Sequence, residues 1–206
     1  VLHYLKPLLK DLANLPVTPS TRLPVNLLTN SDYNLFDMKH DNNKELLPLV
    51  DEEGHVVGSA TRGECHDGMS MLLHPVVHLH VFNERGEVYV QHRPEWKTVQ
   101  PGKWDTAVGG HVDCGETVEA ALAREAREEI GLSQFTPEFM CRYVHQSAVE
   151  RELVYVYRTT TDAPLAPSEE LDGGRFMTLD ELWQHMGHGF FTPNFEAEWK
   201  RVFGDE

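Results

Sequence analysis

The sequence predicts an α/β domain of the α+β kind, in which a mixed β-sheet is covered by helices on both faces. Strand-like segments with alternating apolar residues dominate from residue 46 onward, and one long helical segment, 117–130, lies among them. Further helical segments follow near the C-terminus. Strands, one crossover helix, more strands and then helices suit a sheet with helices on each face.

The length and charge of the chain limit what it does. Its 206 residues leave room for one domain of ordinary size and an extension. A net charge of −15 argues against a nucleic-acid polymer as partner. Three cysteines without zinc-like spacing (Cys65, Cys114 and Cys141) favour a reducing compartment, so we expect a cytoplasmic protein. No apolar run is long enough to span a bilayer.

The first 45 residues differ in character from the rest. Residues 1–15 place leucines at helical spacing, with Pro7 inside the pattern. A stretch rich in Pro, Ser, Thr and Asn follows and indicates an extended arm. We therefore predict an N-terminal helical and extended arm over 1–45 and the folded domain over 46–206.

The first half of the domain predicts hairpins. Residues 46–61 read as two strands around a turn at Glu53-Gly54. Residues 77–82 alternate Val77, Leu79 and Val81 with His78, His80 and Phe82, and a turn at Arg85-Gly86 leads to the next strand. The two histidines are interpreted as residues of a sheet face. A short strand through Ala107 and Val108 precedes the central helix.

The second half predicts two strands and then helices. The strands are separated near His145–Ala148, and a short strand follows around Arg175–Met177. Thr178 with Glu181 three residues later indicates a capped helix. A last amphipathic helix is predicted after Pro193.

The central helix carries an anomaly on its apolar face. One turn after Val118, Ala121 and Leu122, the same stripe becomes acidic, with Glu125, Glu128 and Glu129 at positions i, i+3 and i+4. Like charges at this spacing repel, and burying them unpaired costs on the order of several kcal/mol. A hard divalent cation such as Mg²⁺ removes the conflict. The alternative is a solvated helix face with Glu–Arg pairs.

The surroundings of the acidic stripe favour the metal interpretation. The segment fits the pattern G-x5-E-x7-R-E-U-x-E-E-x-G-U, where U is aliphatic or small. At about one in fifteen per fixed residue type, its seven fixed positions match by chance on the order of once in a million. The pattern resembles a complete Nudix box. Its matching positions are Gly110, Glu116, Arg124, Glu125, Ala126, Glu128, Glu129, Gly131 and Leu132.

The resemblance implies a Nudix hydrolase, an α/β/α sandwich that binds Mg²⁺ or Mn²⁺ and cleaves a diphosphate joined to another group. It implies that the Gly110 carbonyl and the three stripe glutamates hold metal. It also implies that Glu128 or Glu129 takes the proton from water, and that Arg124 pairs with Glu116 to fix the loop on the helix. Glu152 and Glu170 are the other candidates for the base.

From about Leu46 to Phe203 the chain is also similar to the isopentenyl-diphosphate isomerase branch of this superfamily. The similarity lies in seven short motifs that occur in the same order. They are ECH at 64–66, LLHP at 72–75, R-x3-K at Arg93 and Lys97, PGKW at 101–104, GGH at 109–111, ERE at 150–152 and FTP at 191–193. It implies that Arg93 and Lys97 bind a diphosphate. It also implies a second metal site, suited to Zn²⁺ or Mn²⁺, formed by His66, His74, His111, Glu150 and Glu152.

One position departs from the isomerase pattern. Isomerases carry a catalytic cysteine two residues before the histidine of the box region, where this chain has Gly109. Without that thiol, isomerisation lacks its proton carrier. We therefore expect hydrolysis of a small-molecule diphosphate, of the nucleoside diphosphate derivative or prenyl diphosphate type. The alternatives are an isomerase-like enzyme and a non-catalytic module that binds diphosphate ligands. The sequence does not fix the oligomeric state, and a homodimer stays open beside a monomer.

Overall fold

The computed structural model describes residues 42–97 and 99–204. The predicted helix over 1–15 and most of the extended arm lie outside the described residues. The folded part begins with a hairpin of β1 (Leu46–Val50) and β2 (Val56–Thr61), which pair antiparallel. Gly54 forms the turn with a φ of 90°, a backbone conformation that favours glycine. This hairpin agrees with the predicted one.

A single helical turn, which the sequence did not predict, follows the hairpin. It is α1 (Arg62–Cys65), and the Thr61 side chain caps it by accepting the Glu64 N–H. The Glu64 side chain accepts the Thr61 N–H in return, so both unpaired donors are satisfied. The turn places Arg62 and the following His66 beside the main sheet.

The main sheet is mixed, as predicted. Its strands are β3 (Leu73–Phe82), β4 (Val88–His92), β5 (Trp104–Asp105), β6 (Val108–His111), β7 (Glu138–Gln146), β8 (Arg151–Thr160) and β9 (Gly174–Met177). The long central strand β3 pairs parallel with β8 and antiparallel with β4 and β6. The hydrogen-bonded order is β5-β4-β3-β8-β7, with β6 beside β3 and β9 beside β4.

The predicted central helix is α2 (Val118–Ile130), and it covers one face of the sheet. Thr117 is its N-cap rather than its first residue, and Gly131 ends it at a φ of 70°. Its apolar side packs against alternate residues of β3. The buried members of this layer include Val77, Leu79, Val81, Ala121, Leu122, Ala126 and Ile130.

Two C-terminal helices cover the opposite face. They are α3 (Leu179–His185) and α4 (Pro193–Phe203). Phe195 and Trp199 of α4 are buried in a cluster with Val88 and Val90. Helices therefore lie on both faces of the mixed sheet, which confirms the predicted α/β/α layering. No helix in the described part of the chain is long and apolar enough to cross a membrane.

Two predicted boundaries are wrong by one or two residues. Strand β7 continues through Gln146, so the connection to β8 is 147–150 rather than 145–148. Helix α4 begins at Pro193 and is capped by Thr192, because proline fits the first helical position. The predicted Thr178 cap is confirmed, because its side chain accepts the Glu181 N–H, while the Glu181 side chain pairs with Arg175 at 2.7 Å.

Candidate active site

The Arg124 guanidinium connects the loop before α2 to the helix. Its Nε and Nη2 lie 3.0 and 2.8 Å from the two carboxylate oxygens of Glu116. Nη2 also donates to the His111 carbonyl at 2.9 Å, and Nη1 donates to Glu125 at 2.7 Å. The Arg124–Glu116 pair expected from the sequence is present. These contacts of the Arg124 guanidinium hold the loop, the helix and the end of β6 together. The guanidinium is only partly exposed, so solvent weakens the contacts less than at the surface.

Gly110 and the Glu125 side chain are packed closely together, so a side chain at position 110 would displace the Glu125 carboxylate. A Cβ placed there would overlap the Glu125 carboxylate. The neighbouring Gly109 N–H donates to Glu129 at 2.9 Å. The structure therefore brings two of the predicted carboxylates against the backbone of 109–110. Glu128 is exposed and lies 3.4 Å from Arg124 and 3.2 Å from Arg127.

Burial disfavours the ionised form of two of these carboxylates. It raises the pKa of Glu125 to about 6, although the Arg124 charge opposes the shift. It raises the pKa of Glu129 to about 8, and the Glu125 charge adds to the effect. The charge of Glu170 contributes to both shifts, so this predicted base candidate lies in the electrostatic range of the helix. A divalent cation would favour both ionised carboxylates, so the donor set fits one.

A second group of potential metal ligands lies on the face covered by α4. His66, His74, His111 and Glu152 each offer one ligand atom, and these atoms lie within 4.8 Å of one another. The three imidazole centroids are 5.1–5.3 Å apart. We call these four residues the histidine cluster. Side chains from the residue after α1 and from β3, β6 and β8 thus converge although they are distant in sequence.

Two of the imidazoles are oriented by backbone carbonyls. The Nδ1 of His66 lies 2.7 Å from the Arg62 carbonyl, and that of His74 lies 3.0 Å from the Leu72 carbonyl. Donation from Nδ1 leaves the Nε2 lone pair available, as metal-binding histidines require. The Nε2 atoms of His74 and His111 are buried without a hydrogen-bond partner. Such orphaned atoms fit a site for a metal ion.

The ionisation of the cluster is shifted toward neutral groups. Burial lowers the pKa of His74 to about 4 and that of His111 well below its usual range, with the Arg62 charge adding to the second shift. Burial and the adjacent Glu150 raise the pKa of Glu152 to about 8. Glu150 lies 3.3 Å from His66 Nε2, so the fifth predicted ligand adjoins the cluster. His145, Glu150 and Glu152 form another group within 4.8 Å.

The charges of the predicted phosphate ligands, Arg93 and Lys97, act on residues of the candidate metal groups. The Arg93 guanidinium donates to the Val99 carbonyl at 2.8 Å and lies 3.5 Å from Asp105, and its charge lowers the pKa of Glu152. The charge of Lys97 lowers the pKa of both Glu129 and His111. Lys97 is thus within electrostatic range of both candidate metal sites.

Sequence reasoning missed a buried polar network between the sheet and α4. Glu198 of α4 is fully buried, and its oxygens lie 2.8 Å from His78 Nδ1 and 2.7 Å from His80 Nε2. The Tyr143 hydroxyl donates to the same carboxylate at 2.8 Å. A signal was available, because Glu198 interrupts the apolar stripe of Phe195, Trp199 and Val202 at helical spacing.

Comparison with known proteins is consistent with this geometry. The sequence profile of the NUDIX domain family matches residues 72–197. A Nudix hydrolase of Streptomyces coelicolor, itself uncharacterized, is 32% identical over 161 residues, which cover 77% of this chain and 88% of that protein. Isopentenyl-diphosphate Delta-isomerase 1 of Photorhabdus laumondii is 30% identical over 169 residues, with 77% and 94% covered. The crystal structure of DR0079 from Deinococcus radiodurans matches with a TM-score of 0.66 at 26% identity, covering 77% of this chain and 99% of that one.

Proposed function

Because this chain belongs to the NUDIX domain family, we propose that it is a metal-dependent hydrolase that cleaves the diphosphate linkage of a small molecule. The observation that carries the proposal is the acidic end of α2 packed on the backbone of Gly109 and Gly110. Glu125, Glu128 and Glu129 would hold Mg²⁺ or Mn²⁺ there, with the Gly110 carbonyl. A bound divalent cation supplies charge neutralisation at phosphate and activation of water.

The surrounding residues have distinct tasks in this proposal. Arg124 and Glu116 hold the loop and the helix in register, and neither needs to touch the substrate. Arg93 and Lys97 bind phosphate oxygens, because guanidinium and ammonium groups neutralise their charge. Glu128 or Glu129 accepts the proton from water in this proposal, and Glu152 and Glu170 are the other carboxylates that could do so.

The proposal is tested with a substrate panel. The full chain is incubated with Mg²⁺ or Mn²⁺ and with nucleoside diphosphates, nucleotide sugars and prenyl diphosphates, and the release of phosphate or monophosphate is measured. We expect turnover of at least one class, lost on addition of a chelator. Binding of a diphosphate without turnover of any class would instead support a non-catalytic module.

The histidine cluster favours a second candidate, an isomerase-like enzyme. Relatives named isopentenyl-diphosphate isomerase match most of the domain. The sequence resemblance to that branch implies a metal site formed by these residues, and their ligand atoms lie close together. Gly109 opposes this candidate because it has no side chain to carry a proton. Proton-exchange NMR on isopentenyl diphosphate in D₂O separates the two. We expect no enzyme-dependent label in carbon, and clear incorporation would favour the isomerase.

A further inference from the structure

In the buried network of His78, His80, Tyr143 and Glu198, the two imidazoles differ in how well they can carry a positive charge. A buried carboxylate needs a compensating cation, and two imidazoles compete for that role. The Nδ1 atom of His80 is buried without a hydrogen-bond partner. Protonating His80 would place a second buried N–H there without an acceptor, so His80 serves best as a neutral donor through Nε2.

His78 is therefore the charged partner of Glu198. Its Nδ1 lies 2.8 Å from the carboxylate. Burial alone would lower the pKa of His78, but the Glu198 charge and hydrogen bond raise it to about 9. The His78 side chain keeps about 10% of its surface exposed, whereas that of His80 keeps none. An imidazolium donates through both nitrogens, so the second N–H of His78 is directed away from Glu198.

The free edge of the His78 ring faces Gly109 on the neighbouring strand. A Cβ built on Gly109 would lie 3.6 Å from His78 Cδ2 and 3.7 Å from Nε2. The glycine therefore leaves room beside this edge that a side chain would fill. Thr106 adjoins the same space, since its Oγ1 would lie 3.6 Å from that Cβ.

The acids near this space have partners of their own. Asp105 contacts Arg93 at 3.5 Å and accepts from the Thr192 hydroxyl at 3.0 Å. Glu150 is paired with His66 at 3.3 Å. The Glu152 charge contributes to the raised pKa of His78, and Glu152 belongs to the histidine cluster. His145, the other titratable group in range, is kept toward neutrality because burial and the His78 charge lower its pKa.

We propose that the Nε2 edge of His78, oriented by Glu198, is an anion-binding site beside Gly109 that takes a phosphate oxygen of the ligand. A charge-assisted hydrogen bond from a rigid, mostly buried imidazolium is stronger than one from a mobile surface side chain. The identification of the anion as phosphate rests on the proposed function. The geometry of the imidazolium and of the space beside Gly109 stands independently of it.

Side-chain NMR of the full chain with Mg²⁺ tests the site directly. Methylenediphosphonate, a diphosphate mimic that resists hydrolysis, is the probe. We expect the His78 ring nitrogen signals to shift saturably with the probe while those of His80 stay fixed. Unchanged His78 signals at saturating probe, or no binding of the probe, would overturn the proposal.

Variants provide a second test by calorimetric titration with the same probe. Gly109→Ala adds a methyl group at ordinary contact distance, so the fold is retained while access to His78 is blocked. We expect its affinity for the probe to fall at least about tenfold, and wild-type affinity would contradict the site. His78→Gln should lower the affinity for the probe by a similar factor. His80 contacts the same carboxylate, but the affinity of His80→Gln should stay within about twofold of wild type. If His78→Gln does not fold, Gly109→Ala and the NMR titration still decide.

The hydrolysis assay distinguishes failure of this site from failure of the proposed function. Turnover of a diphosphate without a His78 response would overturn the anion site and leave the hydrolase proposal in place. A His78 response without turnover of any substrate would support the site and count against hydrolysis.

Discussion

The two candidate metal sites differ in how far they are assembled by the protein alone. In the histidine cluster, four ligand atoms already lie within 4.8 Å of one another. Among the described residues, the carboxylates of Glu125, Glu128 and Glu129 form no such group. Arg124 donates to Glu125, Arg124 and Arg127 both contact Glu128, and the Gly109 N–H donates to Glu129. Neutral imidazoles can be packed together without repulsion, whereas three carboxylates cannot.

This difference indicates different properties for the two sites. A preassembled set of imidazoles resembles a site for a softer ion such as Zn²⁺ or Mn²⁺, whereas carboxylates and a carbonyl suit Mg²⁺ or Mn²⁺. The box carboxylates would rearrange when a cation replaces Arg124 and the backbone N–H as their partner. Removing one ligand from either site tests whether the two act separately.

The largest effect is expected at the acidic site. Glu129→Gln or Glu128→Gln should reduce turnover of the best substrate at least about a hundredfold, the scale of losing a well-placed catalytic group. Folding should be retained, because each change removes a repelling charge. Glu119→Gln, at an exposed position of the same helix, is the matched control. Near-native turnover in either variant would refute the assignment of the acidic stripe.

The next effect concerns the histidine cluster. His74→Ala should weaken Zn²⁺ binding about 10–100-fold in a calorimetric titration, because it removes a preoriented ligand. Binding of Mg²⁺ at the box should change little. His55→Ala, whose side chain is 78% exposed, is the control. Equal Zn²⁺ affinity in both variants would show that the cluster is not a metal site.

The Arg124–Glu116 pair should matter for stability as well as for metal binding. Arg124→Ala should lower the free energy of unfolding by about 2 kcal/mol, less than for a fully buried pair because both partners keep some solvent contact. Arg127→Ala should cost less than about 0.5 kcal/mol, since Arg127 is 60% exposed. Denaturant unfolding measures both. Equal losses would contradict the role of the Glu116 pair.

Metal affinity at the acidic site should also depend on pH. Glu129 has a pKa raised to about 8 and Glu125 one raised to about 6, so protons must leave before a cation is bound. Affinity for Mg²⁺ should therefore rise with pH between 6 and 8, by at most about tenfold per unit for each proton released. Glu129→Gln should flatten this rise. A wild-type affinity independent of pH would contradict the coupling.

Local chemistry made much of the molecule predictable from sequence. The strands follow from period-two alternation, and α2 follows from its apolar stripe and the glycine that ends it. The contact between Arg124 and Glu116 was predicted because the resemblance to a Nudix box implies it. The assignments of metal, base and phosphate contacts remain predictions.

The residues that sequence reasoning missed are those whose partners are distant in the chain. His78 and Glu198 are separated by 120 positions, and only the packing of α4 on β3 brings them together. The short helix α1 was missed because four residues carry too little periodicity to recognise. Glu198 could have been noticed as a charge in an apolar stripe, but its partners could not.

Strand β3 restricts how this protein can change. Its even-numbered residues, including His74, His78 and His80, face α4, and its odd-numbered residues from Val77 to Val81 face α2. A point substitution therefore alters one face at a time. Insertion or deletion of one residue would exchange the two faces, placing imidazoles in the apolar layer and valines beside Glu198. Sequence drift in β3 should therefore proceed by substitution at constant length, with changes of length confined to the loops on either side.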